Sequence, residues 1–210
     1  LERETIAERV RDNMVLLARS GRWLGGPPPT GFAAERAEET AADGKAKRSC
    51  RLRWNPEEIG AARAVYREFQ ERRSLSGTAK ALMHQGVLTR TGRHYSAAGV
   101  KEILRNPVYC IADRESRGYF LAQGADVCFD EEECTGKRGL LAYNKRDGSR
   151  QGAPRQEKSQ WIVAVGRHKG IVSGREWVEI QALLDRNQPG SQPQSHNGYA
   201  LLSGVLRCGI

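Results

Sequence analysis

In this 210-residue chain, the stretch "LTRTGRHYSAAGVKEILRNP", Leu88 to Pro107, gathers the side chains best suited to reading a polyanion. Arg90, Arg93 and His94 stand in a polar turn, and donors so placed can reach phosphate oxygens or the acceptor edges of bases. Ser96 suits the N-cap of a following helix. Stepping around that helix puts Val100, Ile103 and Leu104 on an inner arc, while Ala98, Lys101, Glu102 and Arg105 point outward. Ala97, Ala98 and Gly99 carry almost no side chain, so a base edge could come close, and an alanine methyl can meet a thymine methyl. Glu102 counts against simple phosphate binding. The same pattern equally describes a solvated amphipathic helix with an ordinary charged outer face.

Three neighbouring features bear on that choice. "SGTAKALMHQG" reads as a helix capped by Ser76, with Ala79, Leu82 and Met83 inside and Gly86 as its stop, so Ser76 to Asn106 has the order helix, turn, helix. In such a unit the second helix enters the major groove with its first turn nearest the bases. Upstream, "GRWLGGPPPTGF", Gly21 to Phe32, excludes a helix and favours an extended path. There Arg22 can follow a minor groove, where negative potential draws arginine, and Trp23 either joins it on DNA or staples the linker to a core. Near the end, Cys208 in "LLSGVLRCG" suits the first half of a Cys-x-x-Cys zinc knuckle.

Other chemistries find no support. There is no Gly-x-Ser-x-Gly elbow, phosphate-binding P-loop or His-Glu-x-x-His helix, and no catalytic residue is assigned. His84, His94, His168 and His196 are scattered, and Cys128 and Cys134 have the wrong spacing for a ribbon and read as buried or loop thiols. Five irregularly spaced cysteines do not resemble a secreted disulfide framework, which points to a reducing cytoplasm. A formal net charge of +9 suits a nucleic-acid partner. No apolar run is long enough to cross a membrane as a helix.

The positioning elements follow from periodicity. Ile6, Val10, Met14 and Leu17 mark a one-faced helix from Glu2 to Ser20, roughly 28 Å long at 1.5 Å per residue. Because the chain opens on Leu1 in the middle of that pattern, it is expected to be an interior piece of a longer protein. Ala33 to Arg53 is expected to be a mobile loop with a short strand near "SCRLRW". "WNPEEIGAARAVYREFQERR" predicts a helix capped by Asn55, with Pro56 first and Glu57 and Glu58 in its first turn; Ile59, Ala62, Tyr66 and Phe69 form its buried stripe. After Tyr109, "GYFLAQGADVCF" reads as two short strands about a Gln123-Gly124 turn, and "GLLAYNKR" and "QWIVAVG" as further strands of a small antiparallel sheet. "SGREWVEIQALLDRN" predicts a helix with a Ser173–Glu176 capping box and Trp177, Ile180 and Leu184 buried. The expected fold class is α+β: a mainly helical domain with a helix-turn-helix-like unit and a small antiparallel sheet, preceded by a long connecting helix.

Taken in order, "ERETIAERVRDNM" with "GRWLGGPPPTGF", then "GTAKALMHQGVLTRTGRHYSAAGVKEILRNPVY", "WIVAVGRHKGIVSGREWVEIQALL" and "LLSGVLRCG" resemble the region after the catalytic domain of large serine recombinases, the serine integrases and transposases of mobile elements. The chain departs from that pattern at "CIADRES" after "NPVY", at the acidic "DEEE", and at Thr30, where an aromatic is expected. The resemblance implies a connecting helix over 1–20, an extended linker and loop over 21–53, a DNA-binding recombinase domain over 54–187, and a linker with the start of a truncated zinc ribbon over 188–210. It implies double-stranded DNA at an attachment half-site as partner, and the residues that the linker, turn and helix set to bind it are Arg22, Trp23, Arg90, Arg93, His94, Ser96, Ala98, Lys101 and Arg105. It also implies an upstream nucleophilic serine, no cofactor in this segment, and zinc in the full-length protein with Cys208 as a ligand. The full-length protein would be a dimer on DNA and a tetramer in synapsis, in a bacterial or phage-encoded cytoplasmic setting at the nucleoid. A non-enzymatic helix-turn-helix regulator and an interaction module with a merely basic surface are the alternatives.

Overall fold

Helix α1, Glu2–Arg19, leads into the linker; in this computed structural model, residues 2–40, 46–148 and 151–187 are described. The helix stops at Gly21, whose φ of +67° is the left-handed turn that glycine adopts without penalty. A Cβ there would lie 2.0 Å from the Val165 carbonyl oxygen, so only glycine lets the chain pass so close. Ala18 is buried, whereas Ile6 and Val10 are exposed, so only the C-terminal end of α1 packs on the body.

The strand expected near "SCRLRW" is present within β2, Ala46–Trp54, but the rest of the expected loop is a second strand, β1 Phe32–Thr40, which pairs with it as a two-stranded antiparallel ribbon. Its register sets Glu35 opposite Arg51, Glu38 opposite Arg48 and Glu39 opposite Lys47, so an acidic strand faces a basic one. Glu35 and Arg51 meet at 2.9 Å. Polar composition suggested a loop, but Phe32 and Leu52 are buried and root the ribbon in the core.

Helices α2 Ile59–Arg72, α3 Leu75–His84 and α4 Ala97–Arg105 follow. The expected stripe of α2, Ile59, Ala62, Tyr66 and Phe69, is buried, but the helix begins at Ile59 rather than after Asn55. The preceding residues form a separate turn in which the Asn55 side chain accepts from the Glu57 N–H at 3.2 Å. α3 is capped by Ser74, not Ser76: Arg73 takes a left-handed φ of 50° that closes α2, and Ser74 is already extended. Its inner face uses Thr78, Ala81 and Leu82, and Met83 is exposed.

A 3-10 turn, Pro107–Tyr109, then leads to α5, Arg114–Ala122, in place of the first of the two short strands expected about Gln123-Gly124; the run after that turn does form a short strand, Asp126–Val127. A capping box decides the matter: the Ser116 N–H donates to Asp113 Oδ1 at 2.9 Å, and the Asp113 N–H donates to Ser116 Oγ at 3.0 Å. Strand β5, Ile162–Lys169, is central to the second sheet; β4, Arg138–Tyr143, pairs with it antiparallel as expected. β3, Asp126–Val127, pairs with β5 in parallel, which makes this sheet mixed. Helix α6, Gly174–Arg186, has the expected Ser173–Glu176 capping box and buries Trp177, Ile180 and Leu184.

The fold is thus α+β, with two aromatic clusters at its centre. Phe120 lies 5.5 Å from Trp177 and 6.4 Å from Trp161. Phe32 lies 5.6 Å from Tyr109 and meets His168 edge-on at 5.2 Å. His168 occupies a slot that two glycines open: a Cβ on Gly139 would come 2.2 Å from its Nε2, and one on Gly166 2.5 Å from its Nδ1. Its Nε2–H donates to the Val108 carbonyl at 2.8 Å, and burial pushes its pKa down to about 4 despite that bond.

Candidate nucleic-acid interface

The connection from α3 to α4, Gln85 to Ser96, is longer than the three or four residues of a standard helix-turn-helix. It is a small hairpin of its own. Leu88 and His94 form an antiparallel bridge, the Thr89 N–H donates to the Arg93 carbonyl at 2.8 Å, and Gly92 turns the chain with φ +72°. The tip presents Arg93 and His94 to solvent, and neither side chain has a partner among the described residues. Ser96 then caps α4, its Oγ accepting from the Gly99 N–H at 3.1 Å, so this candidate positions the helix and its hydroxyl is engaged as a cap.

On α4, Val100, Ile103 and Leu104 are buried as expected, while Ala98 and Glu102 are exposed and Lys101 is half-buried. Arg105 departs from the expected outward face. It is 8 % exposed, its guanidinium lies 2.6 Å from Asp185 Oδ1 on α6, and it donates to Gln181 Oε1 at 3.3 Å. Its position, eight residues past Ala97, has rotated far enough for α6 to cover it.

Arg90 also turns inward. Two of its donors meet the Glu58 carboxylate at 2.7 and 2.6 Å, and two others reach the carbonyls of Pro28 and Phe32, both at 3.1 Å. The Arg90 guanidinium holds the Glu58 carboxyl below its usual range. One side chain therefore ties the turn, the start of α2 and the linker together. Arg90 and Arg105, both expected on DNA, are committed to partners within the chain.

The linker is pinned at both ends. Its far end donates the Gly31 N–H to Glu58 Oε2 at 3.3 Å, and the Thr30 carbonyl accepts the Tyr109 hydroxyl at 2.8 Å. Near its start, Trp23 packs half-buried against the core, the stapling role rather than a free one. Arg22 and Trp23 line a cleft of about 520 Å³ whose other walls include Asn106, Lys145, Arg155 and Trp161. A second cleft of about 570 Å³ lies beyond α4, between Ala98 and Lys101 on one side and Arg155 to Ser159 on the other.

The basic groups of the 145–158 loop went unnoticed in the sequence, since a loop gives no periodicity by which to place them. A further basic surface had a legible sign. In "RLRW" the alternation of buried Leu52 with exposed Arg51 and Arg53 is that of a half-buried strand. Trp54 at its end lies under the Arg63 guanidinium at 4.8 Å and the Lys169 ammonium at 5.6 Å.

Cys110 and Cys128 are poor nucleophiles. Burial pushes Cys110 well up and, with Asp126 alongside, raises Cys128 to about 11, so both stay protonated near neutral pH. No group of three or more His, Cys, Asp or Glu that could hold a metal occurs among the described residues, and Cys208 lies outside them. No described helix is long and apolar enough to cross a membrane.

Fold and surface together define a basic α+β module with unpartnered donors at the mouth of a capped helix. Its family is shown by sequence: the Recombinase family model matches residues 56–187, more than half of the chain, and the chain belongs to that family. No curated protein matches it. Among solved structures, the chain is similar to the one described as "Crystal Structure of a LSR-DNA Complex", at 17% identity and a TM-score of 0.49 over 85% of this chain. It spans 38% of the length of that protein.

Proposed function

We propose that this chain is the DNA-binding portion of a large serine recombinase, recognising an attachment half-site in duplex DNA for strand exchange. Its membership of the Recombinase family supports this, as does the order of sequence blocks from the connecting helix to Cys208. The observation that carries it is the α3–α4 unit. Ser96 caps α4 and Arg90 braces the turn from behind, which leaves Arg93, His94, Ala98 and Lys101 open at the end of α4 that would enter a major groove.

The chain's own residues bind and orient DNA. Cutting and rejoining belong to a serine of the catalytic domain that the resemblance places upstream, through a phosphoserine link that conserves the phosphodiester bond energy and needs no nucleotide cofactor. In the full-length protein Cys208 would begin a zinc ribbon, and the protein would act as a dimer on DNA and a tetramer in synapsis, at the nucleoid.

Selection of bound duplexes from a random pool tests this reading. A defined half-site is expected, and replacing Arg93 and Lys101 with Ala should weaken binding and lower the salt slope by about two units. Absence of any sequence preference would leave only a basic interaction surface. Covalent attachment of DNA to the chain alone would overturn the placing of the nucleophile.

A further inference from the structure

We infer that the cleft between the linker and the 145–155 loop is a phosphate-binding site, and that Glu102 is a built-in anion that a phosphate displaces from it. Five cationic side chains line the cleft, Arg22, Arg105, Lys145, Arg146 and Arg155, against one carboxylate, Glu102. Arg105 is answered from outside by Asp185. Arg146, Arg155 and Lys145 share Glu102 as the one carboxylate of the cleft wall. Glu102 serves two of them at once, 2.7 Å from Arg155 and 3.5 Å from Arg146.

Lys145 is the group this arrangement leaves short of charge. Its ammonium donates to the neutral Asn106 side chain at 3.2 Å. A partly desolvated ammonium is costly unless an anion meets it. Burial and the neighbouring Arg155 push its pKa down to about 8, with Glu102 opposing them only in part. A tetrahedral oxyanion supplies what is lacking here, a charge for Lys145 and acceptor oxygens for the arginine forks.

Glu102 lines both this cleft and the one beyond α4, so it stands where a phosphate approaching Arg155 from either side must compete with it. That explains an acidic residue on an otherwise basic helix face. The phosphate is a diester of the DNA backbone if the proposed function holds, and a free phosphate otherwise; the oxyanion chemistry is common to both.

The test uses the whole chain with two probes, inorganic phosphate and a duplex carrying the selected half-site, and follows the Lys145 side-chain resonance together with the salt slope of DNA binding. Phosphate should shift the Lys145 resonance in the wild type, Glu102→Gln should tighten inorganic phosphate severalfold because the internal competitor is gone, and Lys145→Met should weaken phosphate by a similar factor. If the site takes backbone phosphate, Lys145→Met should also lower the DNA salt slope by about one unit. A change with inorganic phosphate alone assigns the site to free phosphate. Glu102→Gln that leaves phosphate affinity unchanged or weaker overturns the inference, whatever the DNA result. A wild-type chain that binds no DNA would end the recombinase reading while the phosphate arm still decides the cleft.

Discussion

His168 makes the chain acid-sensitive in a window set by its glycine-walled slot. The ring is 3 % exposed, and its pKa is about 4 in the folded chain against 6.5 for the ordinary imidazole. A folded-state value below the unfolded one means that the unfolded chain takes up the proton first. Stability is therefore intact above about pH 6.5 and falls as pH drops toward 4. Between pH 7 and pH 5 the linkage relation gives a loss of about 2 kcal/mol from this one group. Carboxylates held low in the folded chain, such as Glu58 and Glu68, ionise in the unfolded chain near 4.5 and contribute mostly below that window. Urea unfolding at the two pH values measures it; with a slope of about 2 kcal/mol per M, the midpoint should shift by about 1 M. His168→Gln keeps a donor for the Val108 carbonyl and cannot titrate, so its midpoint should move far less. Parallel losses in the wild type and His168→Gln would refute the reasoning.

The same slot predicts that Gly166→Ala costs roughly 2–3 kcal/mol, since its Cβ would meet the His168 ring at 2.5 Å; thermal melting reads the loss. Arg90→Ala should destabilise the chain by about 1–2 kcal/mol, a figure kept low because the arginine is partly solvated, and Glu58→Gln combined with it should add little in a double-mutant cycle. Arg105→Met removes a cation without removing a DNA contact, so filter binding should show an unchanged salt slope, in contrast to Lys101→Ala.

Periodic apolar residues made α1, α4 and α6 readable, because Val100, Ile103 and Leu104, or Trp177, Ile180 and Leu184, recur at the helical spacing wherever the sequence is interpreted. Polar ladders did not announce themselves. In the β1–β2 ribbon Glu35 meets Arg51 across the strands, and that pairing exists only once both strands are laid together. α5 hid for a related reason: "GYFLA" is rich in residues common in strands, and the Asp113–Ser116 box that starts the helix lies outside the apolar run. At the candidate interface the turn and the α4 helix were legible in the sequence pattern, and of the residues it set outward Arg93 and His94 are exposed and Lys101 is half-buried. It could not tell which arginines fold inward. Arg90 and Arg105 differ from Arg93 by what stands opposite them, Glu58 and Asp185, which are 32 and 80 residues away in the chain.

Gly21 has a mechanical meaning as well. The close approach of its backbone to Val165, together with buried Ala18, fixes the direction in which α1 leaves the body. α1 is then a crank of fixed phase: one residue inserted within it would turn its N-terminal end by about 100° and carry it about 1.5 Å along the axis. Anything rigidly joined to that end would be re-aimed around the candidate interface by such an insertion, while two full helical turns would nearly restore its heading and change only its reach. The helix therefore encodes an angle as much as a distance, and Gly21 is where that angle is set.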